Sequence, residues 1–152
     1  MATVRALLDR TELNFEVLED MRRGMWLKYV FNISESMTTA VLDLPGVVFA
    51  RSETANLLRE AVLDEALAVA QAKHVNVGLA DKEAERGKMH LYSTRDIPSA
   101  LQDLRAGRKT EVDMFLGRLC AMGRELGIPT PKCELMLWQI KILEERNTGL
   151  FQ

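Results

Sequence analysis

The stretch Met25-Trp26-Leu27-Lys28-Tyr29-Val30-Phe31-Asn32-Ile33 decides the fold, because only one lysine and one asparagine interrupt residues that are otherwise apolar on every side. At helical spacing such a segment has no polar face, and a helix of that kind is normally buried. It lies within a longer apolar run that starts after Asp20 and reaches Leu44, where Pro45-Gly46 ends it. Lys28 and Asn32 are four residues apart and Ser36 continues the row. Their side chains therefore stack along one face and point into a common space. A buried ammonium is costly to desolvate, so Lys28 calls for a carboxylate partner, a wet cleft or a lowered pKa. The structural alternative is that its four-carbon stem snorkels to the surface while Asn32 bonds to backbone.

Helical spacing extends over nearly the whole chain, and no alternating β-branched run is long enough to build a sheet, so the fold class is all-α. A short helix is predicted from Thr3 to about Leu13, followed by Asn14 to Leu18, the one stretch with the character of a brief strand. The spacing predicts a helix over about 52–74 with Leu58, Val62, Ala66, Val69 and Ala70 on one face, ended by Asn76-Val77-Gly78. A charged helix over about 81–90 and a loop from Tyr92 to Pro98 come next. Ser99-Ala100-Leu101-Gln102 has the form of a capping box, and Gly107 stops that short helix. Thr110-Glu111-Val112-Asp113 opens another, with Val112, Phe115, Leu116, Leu119 and Leu126 in helical register up to Gly127. After the stiff elbow Ile128-Pro129-Thr130-Pro131, Thr130 and Pro131 suit the N-cap and first turn of a last helix reaching Asn147.

The 152 residues carry 22 acids and 20 bases, for a net charge of −2, with 47% hydrophobic residues. That composition suits one domain, or two small ones, with a core that needs neither disulfides nor metal. Near-neutral charge supplies no field for a phosphate backbone, so a nucleic-acid partner is not expected. No apolar run is long enough to cross a membrane, and the Met-Ala-Thr-Val-Arg start lacks the form of a secretory signal, so no membrane partner is expected and the expected location is cytoplasmic. Cys120 and Cys133, 13 residues apart, form no C-x-x-C pair, and His74 and His90 are the only histidines, so no metal site is expected. Both cysteines sit among apolar helical residues and read as small buried hydrophobes.

Glycine fingerprints for nucleotides, a zinc-protease helix and a nucleophile elbow are all absent from the sequence. Candidate partners for Lys28 are Glu111 and Asp113. Each has a structural explanation as well: Asp113 can complete a capping box with Thr110, Glu111 suits a helix dipole, and Ser99 can serve as an N-cap paired with Gln102.

The order of these motifs resembles the C-terminal domain of ketopantoate reductases. Trp26 precedes Lys28 by two and Asn32 follows it by four. Much later come Ser99-Ala100-Leu101-Gln102-Asp103, then Arg108-Lys109-Thr110-Glu111-Val112-Asp113, and finally Gly127-Ile128-Pro129-Thr130-Pro131. The resemblance runs from about Val4 to Glu145. It implies a helical bundle similar to the C-terminal domain of 6-phosphogluconate dehydrogenase, in enzymes that reduce 2-dehydropantoate to pantoate with NADPH on the route to pantothenate. By position, Lys28 is the expected catalytic lysine and Glu111 the acid that helps hold it and the substrate. Asn32 and Ser99 match positions that bond substrate oxygens.

Many members have a second asparagine, followed by proline, where this chain has Ser36-Met37, and an asparagine where it has Asp96. The resemblance therefore places Ser36 among the substrate-binding residues and Asp96 at the approach to the cofactor. It also assigns residues 1–20 to a remnant of the end of a Rossmann domain and 21–152 to the helical substrate and catalytic domain. NADPH is expected for full-length members, none for this chain alone, which is then inactive by itself. The implied partners are a small 2-keto acid, a missing or separate Rossmann domain, and a second copy in a homodimer. The rival expectation is a helical dimerisation or interaction module that keeps the fold without the chemistry.

Overall fold

The computed structural model describes residues 2–13, 15 and 17–151. Its elements are α1 (Ala2–Leu8), α2 (Met21–Leu42), α3 (Val48–Arg51), α4 (Glu53–Ala72), α5 (Leu79–Lys88), a 3₁₀ turn (Met89–Leu91), α6 (Ser99–Arg105), a π-helical turn (Asp113–Gly117), α7 (Arg118–Leu126) and α8 (Pro131–Asn147). No strand occurs among the described residues, as an all-α fold requires. Phe15, Val17 and Leu18 form no strand, while Asn14 and Glu16 of the expected one lie outside the described residues. With no neighbouring strand to take up their amides and carbonyls, an extended segment there has nothing to pair with.

The long helices α2 and α4 pack against each other at the centre. Asp20 starts α2 by accepting the amide of Arg23 at 2.9 Å, and Ser52 starts α4 by accepting that of Ala55 at 3.2 Å. Val30, Ile33 and Met37 of α2 meet Val62, Ala66 and Val69 of α4 in a continuous core that Leu116, Leu119 and Ile140 complete from the later helices. Truncating a fully buried side chain such as Ile33 to alanine costs about 2–5 kcal/mol. Leu58 is 38% exposed and lies outside the expected core face. Arg59 takes the buried place instead, one turn before Val62 and Leu63.

Of the side-chain caps expected in the second half, those of Thr130 and Ser99 do not form. Thr130 makes no cap to α8. The Glu65 carboxylate, reaching over from α4, accepts the amides of Lys132 at 3.1 Å and Cys133 at 2.9 Å. Helix α6 begins at Ser99 behind Pro98 with no serine cap, and Gln102 instead donates its side-chain amide to the Ile97 carbonyl at 2.6 Å. The expected single helix after Thr110 is interrupted by the π turn, and Leu126 at its end is half-exposed rather than core.

Candidate functional site

Along α2, Lys28, Asn32 and Glu35 recur at spacings of four and three, so they lie on one flank, away from the buried flank of Val30, Ile33 and Met37. The structure places Lys28 on the exposed side of this helix rather than inside it, and Asn32 half-buried one turn further on. The surrounding apolar residues do not bury Lys28 because the core claims only the opposite flank of α2. Ser36 is buried, and its hydroxyl has no hydrogen-bond partner among the described residues.

Ser99 opens α6, which packs against α2. Its expected capping bond does not form and its side chain is exposed, so the hydroxyl is free for a ligand. The residues just before it, Asp96, Ile97 and Pro98, line a cavity of about 270 Å³ together with Glu35, Gly46, Phe49 and Tyr92. Asp96 is exposed at this cavity and accepts the Ser93 amide, which holds its carboxyl below the usual range. The Asp96 carbonyl accepts the Gly46 amide at 2.9 Å, tying the turn before α6 to the end of α2.

Glu111 is exposed and comes just before the π turn. Its carbonyl accepts the amides of Met114 at 3.0 Å and Phe115 at 3.1 Å. Phe115 in turn is bonded to α2: the Tyr29 hydroxyl donates to the Phe115 carbonyl at 2.8 Å, and the two rings stack with centroids 5.8 Å apart. The residue after Lys28 is thus fastened one turn beyond Glu111. Among the described residues neither Lys28 nor Glu111 forms an ion pair within 4.0 Å. Asp113, the other candidate acid, is committed elsewhere, to Lys141 and Lys109, and the Lys141 bond holds its carboxyl low. It completes no capping box with Thr110, whose amide and hydroxyl each donate to Glu144 at 2.7 Å while the hydroxyl accepts the Val112 amide at 3.2 Å.

Sequence reasoning overlooked the charged wall behind the cavity. Tyr92 donates to Glu35 at 2.7 Å, and the fully buried Arg59 stands 3.8 Å from the other Glu35 oxygen, 3.1 Å from Asn56 and 5.9 Å above the Phe49 ring. Burial pushes the Glu35 carboxyl up, partly opposed by the Tyr92 bond, and pulls the Arg59 guanidinium down. The signal was available: Glu35 continues the Lys28–Asn32 row, and an arginine at 59 interrupts the apolar face that continues through Val62 and Ala66.

The family described as "Ketopantoate reductase PanE/ApbA C terminal" matches residues 20–144. The chain belongs to that family. It is 30% identical over 150 residues to a 2-dehydropantoate 2-reductase of Pyrobaculum aerophilum, a match covering 98% of this chain and 53% of that protein. Among solved structures, a PanE/ApbA family ketopantoate reductase from Ralstonia eutropha superposes with a TM-score of 0.84 at 24% identity, covering 97% of this chain and 49% of the other. D-mandelate dehydrogenase, solved with NADH and anilino(oxo)acetate, superposes with a TM-score of 0.82 at 20% identity, covering 97% and 50%. These two likenesses concern the fold. The ketopantoate reductase C-terminal chain described here spans about half the length of the curated relative it matches.

Among the described residues no group of three or more histidine, cysteine or acidic side chains could hold a metal ion. No helix among them is long and apolar enough to cross a membrane.

Proposed function

We propose that this chain is the substrate-holding and catalytic half of a 2-keto-acid reductase that converts 2-dehydropantoate to pantoate. The observation that carries the reading is the grouping around α2. Lys28 and Asn32 share one flank, Ser99 is released from capping duty on a helix packed against α2, and the Tyr29–Phe115 bond draws the Glu111 turn to the same helix.

In this reading the Lys28 ammonium stands beside the keto oxygen, offsets the negative charge that grows there during reduction, and delivers the proton that completes the hydroxyl. The Glu111 carboxylate favours the charged form of the lysine when substrate displaces water from the site. The Asn32 amide and the Ser99 hydroxyl orient the substrate's oxygens, the Ser36 hydroxyl joins them once substrate opens its buried place, and the cavity between Phe49, Tyr92 and Pro98 takes the tail. These residues include no glycine-rich turn for a dinucleotide, so they bind, orient and protonate, and no step of the coenzyme's chemistry is assigned to them. NADPH is held by a Rossmann domain outside these 152 residues, with residues 1–20 as the junction to it and Asp96 facing the cofactor side.

A second reading is favoured by one surface feature. Leu135, Trp138 and Ile142 form an exposed apolar stripe on α8, with the exposed Met114 on the preceding π turn. A stripe of large apolar residues in water suits a helical face that pairs with a second copy, giving a homodimer with or without chemistry.

The test joins the chain to a ketopantoate-reductase Rossmann domain and follows NADPH consumption with 2-dehydropantoate. Turnover that Lys28→Ala abolishes is the expected result. Turnover retained in Lys28→Ala sinks the catalytic assignment.

A further inference from the structure

Tyr29 has a polar atom that core packing does not require. Its ring is held edge-on by Trp26 at 5.6 Å and face-on by Phe115 at 5.8 Å, contacts that phenylalanine would make equally well. The hydroxyl makes one hydrogen bond among the described residues, to the Phe115 carbonyl. Burial pushes the phenol up to about 12, so the hydroxyl stays a donor over the whole working range of pH.

The acceptor lies in the one segment of the later helices that departs from α-helical geometry. In the π turn Asp113–Gly117 the ladder is one residue wider, and the Arg118 amide is shared between the carbonyls of Asp113 and Phe115. A wide turn is less well determined by its own hydrogen bonds than a regular one. An outside donor at its centre fixes where the turn sits and how the residues before it are aimed. Glu111 is the residue so aimed, because its carbonyl holds the first amides of the turn.

Building on the proposed roles of Lys28 and Glu111, we infer that Tyr29 is a positioning residue: its hydroxyl holds the π turn in register, so that Glu111 faces the α2 turn carrying Lys28. The inference follows from the chain order on both sides. Tyr29 is bonded to Lys28 through the backbone, and Phe115 is one turn beyond Glu111, so a single hydrogen bond sets the separation of the two charged groups. Their interaction falls inversely with distance, and a slip of a few ångströms removes much of it.

The test is a double-mutant cycle read at Lys28. In chain carrying ¹³C-labelled lysine, the Lys28 Cε resonance is followed by NMR in the parent, Glu111→Gln, Tyr29→Phe and the double variant. Glu111→Gln should move that resonance in the parent, and by less than half as much beside Tyr29→Phe. Trp26→Phe, which loosens ring packing but leaves the hydroxyl bond, should leave the Glu111 effect whole and so separates positioning from general loosening. If Glu111→Gln shifts Lys28 equally with and without the Tyr29 hydroxyl, the positioning role is overturned and the catalytic reading stands. If it shifts nothing in the parent, the Lys28–Glu111 pairing falls and the positioning role falls with it.

Discussion

Glu65 closes the N-terminus of α8 from the middle of α4, accepting the Cys133 amide at 2.9 Å with one oxygen and the Lys132 amide at 3.1 Å with the other. A carboxylate at this end satisfies orphan donors and meets the positive end of the helix dipole. Glu65→Ala should therefore destabilise the fold by about 1–3 kcal/mol, whereas Thr130→Val should cost less, since Thr130 does not cap. Urea unfolding of the two variants checks the order, and the reverse order would contradict the cap.

Gly123 lies under the elbow that follows α7. A Cβ there would sit 2.8 Å from the Ile128 carbonyl oxygen and 2.9 Å from the Thr130 methyl. The first obstacle is backbone and cannot rotate away, so Gly123→Ala is expected to lose about 1–3 kcal/mol despite alanine's better helix propensity. Thermal denaturation decides: an unchanged or raised midpoint would show that the elbow can shift.

Ser99 and Gln102 divide between them what looks like one motif. Because Gln102 bonds the Ile97 carbonyl while Ser99 bonds nothing among the described residues, Gln102→Ala should cost about 1 kcal/mol and Ser99→Ala no more than about 0.5 kcal/mol. Ser99→Ala should instead weaken pantoate binding, measured by amide shifts on titration. Equal binding in Ser99→Ala and parent would remove Ser99 from the site.

Glu35 predicts a pH dependence of definite sign. Its folded pKa is raised by burial, with Arg59 on α4 and Lys88 on α5 opposing and Glu85 on α5 adding, so the native state binds this proton more tightly than the unfolded chain. Stability from this group is full in acid and is lost as pH rises from the ordinary carboxylate range through the raised value. Glu35→Gln should flatten that fall, seen in urea midpoints measured across the acid to neutral range. Parallel curves for variant and parent would rule out Glu35 as its source.

These outcomes also mark what the sequence could reveal. The long helices were legible from local information: apolar period, with Pro45 and Gly127 as stops. The family followed from motif order, because fixed spacings between polar residues survive where their contacts cannot be seen. The errors were tertiary. Helix α8 is capped by Glu65 rather than by Thr130, and α6 has no side-chain cap from Ser99. For Lys28, burial and an exposed stem were both open; it is exposed because only one flank of α2 faces the core, and a helix apolar on every side does not reveal which flank that is. The four-residue α3 and the π turn, set by Tyr29 from 86 residues away, lie below the resolution of a periodic pattern. The cavity and its Glu35–Arg59 wall needed two helices and the 92–98 turn brought together.

The wide turn at Asp113–Gly117 makes chain length itself a determinant here. Met114 is exposed and has little packing to lose, so excising it would let the helix close into an ordinary ladder with every core side chain downstream undisturbed. The residues upstream would then rotate by about 100° around the axis, turning Glu111 to another side of the helix. A one-residue gap in this stretch of a related sequence would therefore re-aim the residue before the turn even where a glutamate is still spelled out.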